Sequence, residues 1–353
     1  MAMVPGSIPK IIFVVFCNTG VIFTKIIYLH KSIKILFNWF LGPLIFILLS
    51  WSLYSKIVNQ PDLANRWMQI KQSFHKPVLW LAVLLVFVNW GIEGRKWQLL
   101  LRPLEKITFL NAFRSVLAGC SITMLTPNRV GEYGGRILYV SEDNRLDAIP
   151  LTILGSMSQL FITVLMGTAG ILYLKMEGQE ISLFSFLPNY TTDLLLYLSI
   201  SASVVLILLY LRVSLLVKFL EKITFLKKVV AHIVLLNSFS RKQLLRILFL
   251  SFLRYTVFIL QYILLLQALQ VHIDFFTCFG LITIFYLIMA IAPTIGFTEI
   301  PIRASASVAL LQLYSTNVIG IQAASFGIFI INLVLPAVAG SLLILGIKIL
   351  KEK

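Results

Sequence analysis

Two short stretches of this sequence combine, in the same order, a proline, a glycine and a glutamate that is followed four positions later by an arginine. Their members are Pro127, Gly131, Glu132 and Arg136 in the first stretch, and Pro293, Gly296, Glu299 and Arg303 in the second. Arginine can hold phosphate oxygens through two parallel hydrogen bonds, and free amides at a helix N-terminus attract anions. The repeated pattern therefore indicates an anion site, with Arg129 as a further cation in the first stretch.

The two Glu-x-x-x-Arg pairs allow two interpretations. At this spacing the side chains share one helix face, so they can form local salt bridges that stabilise the fold. Charges at membrane depth are costly, however, and usually mark a substrate pathway. In that second interpretation Arg129, Arg136 and Arg303 bind an anionic head group. Glu132 and Glu299 then neutralise the arginines when the substrate is absent, or take up a proton.

The composition excludes a soluble protein. The chain has 353 residues, 59% hydrophobic and only 12% charged, yet its net charge is +16. Soluble domains carry about 25% charged residues. An apolar but basic chain is typical of a membrane protein whose cations face anionic lipid. Since the sequence has no long hydrophilic block, we expect no nucleic-acid partner.

No motif for a metal, a cofactor or covalent catalysis is found in the sequence. Cys17, Cys120 and Cys278 lie in apolar stretches without CxxC spacing, and the histidines are scattered. A Walker loop, a GxGxxG motif and a nucleophile elbow are all missing. We therefore expect neither a metal nor a cofactor, and a protein that is not an enzyme.

Apolar stretches of the length that crosses a bilayer, about 20 residues, recur along the chain. They cover residues 35–55, 77–101, 148–174, 194–211, 244–269 and 304–347, the last being long enough to need a cut at 315–317. Two further stretches, 107–126 and 275–292, stop at Pro127 and Pro293. Helices broken at membrane depth need protein or a wet cavity around their free backbone groups. We therefore predict a broken, re-entrant hairpin at each proline.

The distribution of basic residues predicts an inverted repeat. Segment 212–246 has eight cations against Glu221 alone, which predicts a cytoplasmic position, whereas 175–193 is acidic and predicted to lie outside. With this orientation, half one (about 77–174) and half two (about 243–347) each consist of a span, a broken hairpin and a second span. The two halves cross the membrane in opposite directions. The predicted fold is an all-α multi-pass membrane bundle with a site near the midplane, between the halves.

Segments outside this repeat, and polar residues within the spans, add further expectations. Residues 34–351 form one transmembrane domain, and residues 1–33 are an N-terminal segment that is a non-native extension, an interfacial helix or a marginal span. Segment 212–246 is predicted to be an amphipathic helix on anionic lipid, or a docking site for a soluble partner. Arg254 is expected to pair with a buried acid or to reach the cytoplasmic surface. Asn89 and Asn332 are expected to hydrogen-bond between helices.

Three motifs together resemble a known family. The run from Thr126 to Arg136, the segment from Arg95 through Trp97 to Leu100, and the Pro293, Gly296, Glu299 series are similar to motifs of the lysylphosphatidylglycerol synthase transmembrane region, or flippase-like domain family. The resemblance covers residues 34–351 and implies a lipid translocase with re-entrant hairpins. This sequence has Ser158 and Gln159 where the family often has a Glu-Arg pair. It ends shortly after its last predicted helix, so we expect the membrane part alone, without the soluble aminoacyl-transferase domain.

The functional hypothesis is a flippase that moves an anionic, aminoacylated or polyprenyl-linked lipid between leaflets. We expect it in the bacterial plasma membrane, with a cytoplasmic C-terminus and membrane lipids as its partners. One alternative is an intramembrane enzyme that acts on a lipid head group, with Glu132 or Glu299 as general base. Another is a scaffold that recruits a membrane-associated glycosyltransferase through segment 212–246.

Overall fold

A computed structural model of the chain describes residues 63–124, 131–178, 190–212, 232–292 and 299–351, together with Trp51 and Tyr54. These residues belong to one compact unit, Leu49–Lys353. Several predictions lie outside the described residues: those for the extension 1–33, for most of the first span, and for residues 213–231 of the amphipathic segment. The same holds for Pro127, Arg129, Pro293 and Gly296.

The described elements are helices, and no β-strand occurs among the described residues. The α-helices are α1 (Leu63–Ser73), α2 (Pro77–Leu101), α3 (Phe109–Met124), α4 (Gly131–Arg136), α5 (Arg145–Met176), α6 (Tyr190–Leu211), α7 (Arg241–Ala268), α8 (Phe275–Ile291), α9 (Glu299–Leu311), α10 (Val318–Phe329) and α11 (Leu335–Lys351). Short 3-10 helices cover Ile137–Tyr139, Glu142–Asn144 and Val234–Ser238. A π-helical turn, Ile330–Val334, joins α10 to α11.

Side-chain caps explain where several of these helices begin. Ser240 and Gln243 form a capping box at the start of α7, and the Asp274 carboxylate accepts hydrogen bonds from two backbone amides at the start of α8. Asn317 caps α10 by accepting from the amide of Gly320 at 3.0 Å. The long apolar stretch 304–347 is therefore divided at residues 315–317, as the sequence predicted.

Five helical stretches in the described part are long and apolar enough to cross a membrane. They are Pro77–Leu101, Glu142–Met176, Thr191–Leu211, Arg241–Ala268 and Val318–Ile344, and Phe275–Ile291 is a shorter apolar helix. Large apolar side chains such as Phe87 and Leu342 are mostly exposed on the outside of the bundle, as expected for helices that face lipid. The prediction of an all-α multi-pass membrane protein is confirmed.

The helices pack in a reciprocal arrangement. Helix α2 packs against α7, while α3 packs against α11 and α8 packs against α5. The last two crossings depend on glycine: a Cβ added to Gly340 of α11 would lie 2.0 Å from the Leu117 carbonyl oxygen of α3. A Cβ on Gly170 of α5 would lie 1.9 Å from the Thr283 hydroxyl oxygen of α8. The helix before each predicted break thus packs against the last helix of the other half.

Candidate functional site

Glu93 lies at the centre of a buried charge cluster. It lies in the C-terminal half of α2, with 1% of its surface exposed. Its Oε1 is 2.6 Å from Arg136 Nη2, and its Oε2 is 2.8 Å from both Lys96 Nζ and Arg254 Nη1. One carboxylate therefore connects cations from three helices, α2, α4 and α7. We call Glu93, Lys96, Glu132, Arg136 and Arg254 the charge cluster.

The α4 side of the charge cluster is closely packed. Arg136 also pairs with Glu132, one helical turn earlier, and its guanidinium lies 5.3 Å from the centre of the Trp97 ring. The Trp97 indole N–H donates to the Ser115 hydroxyl at 2.8 Å, and that hydroxyl donates to the Arg136 carbonyl at 2.7 Å. Arg136 is only 3% exposed. It therefore holds α4 against α2 and α3 as well as compensating two carboxylates.

Glycine allows α4 to come this close to α3. A Cβ added to Gly135 would lie 2.5 Å from both the Ala118 carbonyl oxygen and the Gly119 Cα. A Cβ added to Gly119 would lie 2.9 Å from the Cγ of Arg136. The small residues in and opposite the first motif therefore place Glu132 and Arg136 against the bundle interior.

Arg254 connects the charge cluster to a chain of buried amides. Its Nε donates to Asn89 Oδ1 at 2.9 Å, and Asn89 Nδ2 donates to Asn332 Oδ1 at 2.7 Å. Asn332 Nδ2 donates to Gln261 Oε1 at 3.1 Å, and Gln261 Nε2 donates to the Ala82 carbonyl at 2.9 Å. The guanidinium also lies over the rings of Trp90 and Phe258. Both sequence predictions are confirmed: Arg254 pairs with a buried acid, and Asn89 bonds to Asn332 between helices.

The π-helical turn places Asn332 in this chain. Residues Ile330–Val334 interrupt the regular α-helical repeat between α10 and α11. Such turns are rare, and they frequently occur at functional sites. Asn332 is buried and also lines a cavity next to Arg254. The irregular turn therefore connects the Asn332 side chain of the second half, through Asn89 of the first half, to the charge cluster.

A smaller cavity of about 330 Å³ opens beside the charge cluster. Glu93, Lys96, Glu132 and Arg254 all line it. Its other polar lining residues are Trp90, Thr123, Tyr133, Ser156, Gln159 and Thr163. Ser158, next to Gln159, forms a 2.8 Å hydrogen bond with Ser251 of α7, so the departure from the family motif still supplies a contact between helices.

A larger cavity of about 500 Å³ adjoins the smaller one. The two share Trp90, Gln159, Thr163, Arg254 and Leu333 in their linings. The larger cavity is also lined by Glu299 and Arg303. In this second pair the Glu299 Oε1 lies 2.9 Å from Arg303 Nε and 2.8 Å from Arg303 Nη2. Aromatic and aliphatic side chains make up much of the remaining wall.

The structure brings most of the predicted site residues together around the two cavities. Glu132, Glu299 and Arg303 line them, whereas Arg136 lies behind Glu93 and Glu132 and is in neither lining. Trp97 is buried beside α4, Gly131 is the buried first residue of α4, and Arg95 bonds to Gln98. No group of acidic, histidine or cysteine side chains that could hold a metal ion occurs among the described residues.

Sequence reasoning missed the central residues, Glu93 and Lys96. From the sequence alone, Glu93 is a single acid within the predicted span 77–101, and Lys96 is a cation expected on the cytoplasmic side. Their spacing, three positions apart near the end of an apolar helix, was the available signal. Such a pair can share one helix face, and in an apolar span that face is expected to point into the bundle.

Comparison with known proteins supplies the family. No curated protein matches the chain, and no solved structure does. The family model of the lysylphosphatidylglycerol synthase TM region matches residues 39–340. This range includes the charge cluster, both cavities and both Glu-x-x-x-Arg pairs. The chain belongs to the lysylphosphatidylglycerol synthase TM region family.

Proposed function

We propose that the protein is a flippase-like translocase, rather than an enzyme, that moves an anionic lipid between the leaflets of the membrane. One observation carries the proposal: two adjoining cavities inside a membrane bundle are lined by arginine and lysine side chains. Charges buried at such depth are costly and mark substrate pathways. Membership of a family named for a lipid synthase's membrane region agrees with a lipid as the substrate.

Arg254 and Arg303 are the proposed head-group ligands. Both line the larger cavity, and both carry the planar guanidinium that suits phosphate. Glu93 and Glu299 compensate them when no lipid is bound. Arg136 has a supporting role in this proposal, because it is enclosed by Glu93, Glu132 and Trp97. Lipids with a phosphodiester group, including aminoacylated and polyprenyl-linked ones, carry the required anion.

The reciprocal helix packing supports an inverted repeat as the basis of transport. The packing of α3 on α11 and of α8 on α5 joins each half to the other by the same kind of contact. In transporters built from inverted repeats, the substrate site lies between the halves and is opened alternately to each side. Both cavities combine residues of the two halves, since α2 and α5 belong to one and α7 to the other.

The expected orientation places the C-terminus in the cytoplasm of a bacterium and the protein in its plasma membrane. The basic segment 212–246 and the basic tail support this orientation. The connection after α5 is acidic, and Lys175, in the last turn of α5, pairs with Asp193. That pair neutralises a cation on the side proposed to lie outside.

Reconstitution into liposomes tests the proposal. The full chain is placed in phosphatidylcholine liposomes with a fluorescent phosphatidylglycerol, a fluorescent lysyl-phosphatidylglycerol or a fluorescent polyprenyl phosphate, and bleaching of the outer leaflet reports movement. We expect at least one probe to move faster than in protein-free liposomes. Arg303→Ala and Arg254→Ala should slow that movement, and Arg246→Ala, an exposed change on α7, should not.

The outcome separates the alternatives. Movement by both alanine variants at the wild-type rate would show that the proposed site is wrong. No movement of any probe, together with a chemically altered lipid detected by mass spectrometry, would favour the intramembrane enzyme instead. No movement of any probe, together with a function in cells that survives the Glu and Arg substitutions but is lost on charge reversal in 212–246, would favour the scaffold that recruits a glycosyltransferase.

A further inference from the structure

Lys96 is a primary amine enclosed by the bundle. It is 1% exposed, yet it forms part of the wall of the smaller cavity. Its Nζ lies 2.8 Å from Glu93 Oε2, and 3.4 Å from both the Gly155 carbonyl oxygen and the Ser251 hydroxyl oxygen. The last two partners are uncharged. Neither therefore requires the amine to be protonated.

The groups that face Lys96 come from four neighbouring helices and its own. Its own helix α2 contributes Glu93, and α7 contributes Arg254. Helix α5 contributes only uncharged groups. Among the described residues, the other titratable groups that line the smaller cavity or belong to the charge cluster are Cys120 from α3 and Glu132, Tyr133 and Arg136 from α4.

The charge count of the cluster makes Lys96 the unbalanced member. Arg136 and Arg254 balance Glu93 and Glu132, so a protonated Lys96 leaves the cluster with one positive charge in excess. A buried net charge is costly in a membrane bundle. The cluster is electrically neutral when Lys96 is an uncharged amine and the cavity holds no anion.

The two arginines and Glu93 are poorly suited to change their charge. Guanidinium groups stay protonated throughout the pH range in which proteins function. Both oxygens of Glu93 are in contact with cations, and two of those cations are arginines. Lysine shifts its protonation readily when it is buried. A phosphodiester in the smaller cavity adds one negative charge, which a protonated Lys96 balances.

We infer that Lys96 takes up a proton when a phosphodiester head group enters the smaller cavity and releases it when the head group leaves. The inference rests on the proposed lipid movement and adds its energy source, a proton gradient. A hydronium ion in the cavity gives its proton to the lone pair of the Lys96 Nζ, so that one O–H bond breaks as the N–H bond forms and a water molecule is left. Each lipid is accompanied by at most one proton.

Calorimetry of the full chain in detergent tests the inference directly. Dihexanoyl phosphatidylglycerol is titrated at one pH into protein in two buffers that differ in ionisation enthalpy, because the difference in heat gives the number of protons taken up. Wild type should take up a fraction of a proton that changes with pH. Lys96→Met, which stays neutral, and Lys96→Arg, which stays charged, should bind the lipid with no uptake. Lys106→Met, the same change at an exposed lysine, should behave as wild type.

Two further titrations show which group binds the proton and which kind of anion causes the uptake. Retention of the uptake in Lys96→Met would overturn the role of Lys96. Glu132→Gln removes one negative charge from the cluster, so it should bind the lipid with less uptake than wild type, and full uptake in that variant would overturn the charge count. Sulfate, a free anion that does not titrate in this range, should give no uptake. Equal uptake with sulfate would overturn the assignment to a lipid head group. The Lys96→Arg variant keeps a cation beside Glu93 and should therefore fold. The role of Lys96 can then be tested even if Lys96→Met does not fold.

The failure of this inference is distinct from the failure of lipid movement. If wild type binds and moves phosphatidylglycerol in liposomes but takes up no proton, the inference is wrong and the translocase proposal stands. If wild type moves the lipid and an imposed pH gradient changes its rate equally in Lys96→Met, the inference is again wrong. If none of the lipid probes moves, both proposals fall.

Discussion

Glu93 and Arg254 form an ion pair of 2.8 Å between α2 and α7, although 161 positions separate them in the chain. The pair joins the two halves at the point where the two cavities meet. Because Glu93 also pairs with Lys96 and Arg136, one carboxylate stabilises the position of three cations.

Glu93→Gln should strongly destabilise the bundle. The amide keeps the shape of the side chain but leaves Lys96, Arg136 and Arg254 without their shared anion. Breaking a buried ion pair from one side costs about 3–5 kcal/mol. Thermal unfolding in detergent should show a clear fall in Tm. Glu177→Gln, at an exposed position, is the matched control, and an equal Tm for both variants would contradict the central role of Glu93.

Arg254→Lys should impair lipid movement even though it keeps the charge. Lysine cannot reproduce the Nε hydrogen bond to Asn89 together with the bond to Glu93. Loss of one charged hydrogen bond, about 1.5–3 kcal/mol, corresponds to a rate lower by about tenfold or more. The liposome assay measures that rate, with Arg246→Lys on the same helix as control. A wild-type rate for Arg254→Lys would mean that only its charge matters.

Gly340→Ala should loosen the contact between α3 and α11. The new methyl group would lie 2.0 Å from the Leu117 carbonyl oxygen, so one helix backbone must move. Overpacking of this kind costs about 1–3 kcal/mol. Gly91→Ala, in α2, is the control because nothing lies within 4 Å of an added Cβ there, and it should be neutral or stabilising. Chemical denaturation in detergent compares the two, and equal stability would argue against close packing at Gly340.

Single cysteines at the ends of two spans test the proposed orientation. In a background without Cys17, Cys120 and Cys278, Glu177→Cys should react with a membrane-impermeant maleimide in intact cells, because it follows α5 on the proposed outer side. Lys106→Cys should react only after the membrane is permeabilised. Both positions are exposed. The reverse pattern of labelling would show that the topology is the opposite of the one proposed. The contacts of the charge cluster would be unaffected by that result.

Much of the fold could be predicted from the sequence, because membrane helices are marked by local composition. The apolar stretches 148–174 and 244–269 correspond to α5 and α7 within a few residues. Asn317 begins α10 at the predicted cut. These features depend on neighbours in the chain, which is why one sequence sufficed. The re-entrant geometry of the two hairpins stays a prediction, since their prolines lie outside the described residues.

The site was only partly predictable. The Glu-x-x-x-Arg spacing identified Glu132 and Arg136, and Glu299 and Arg303, as pairs, because an ion pair one helical turn apart is a local property. Arg254 was expected to find an acidic partner, but its identity was unknown. Glu93 was overlooked because its arginine partners are 43 and 161 positions away. The π-helical turn at Asn332 also left no local pattern.

The sequence by itself therefore determined a basic, all-helical membrane protein with two similar Glu-Arg motifs, since hydropathy, net charge and helical spacing are properties of short segments. Only the tertiary structure decided that Glu93 unites the cations of three helices, and that Arg254 stands between two cavities. The physical reason is that buried charges are stabilised by partners in space. In this bundle the packing of α2 against α7 brings those partners together.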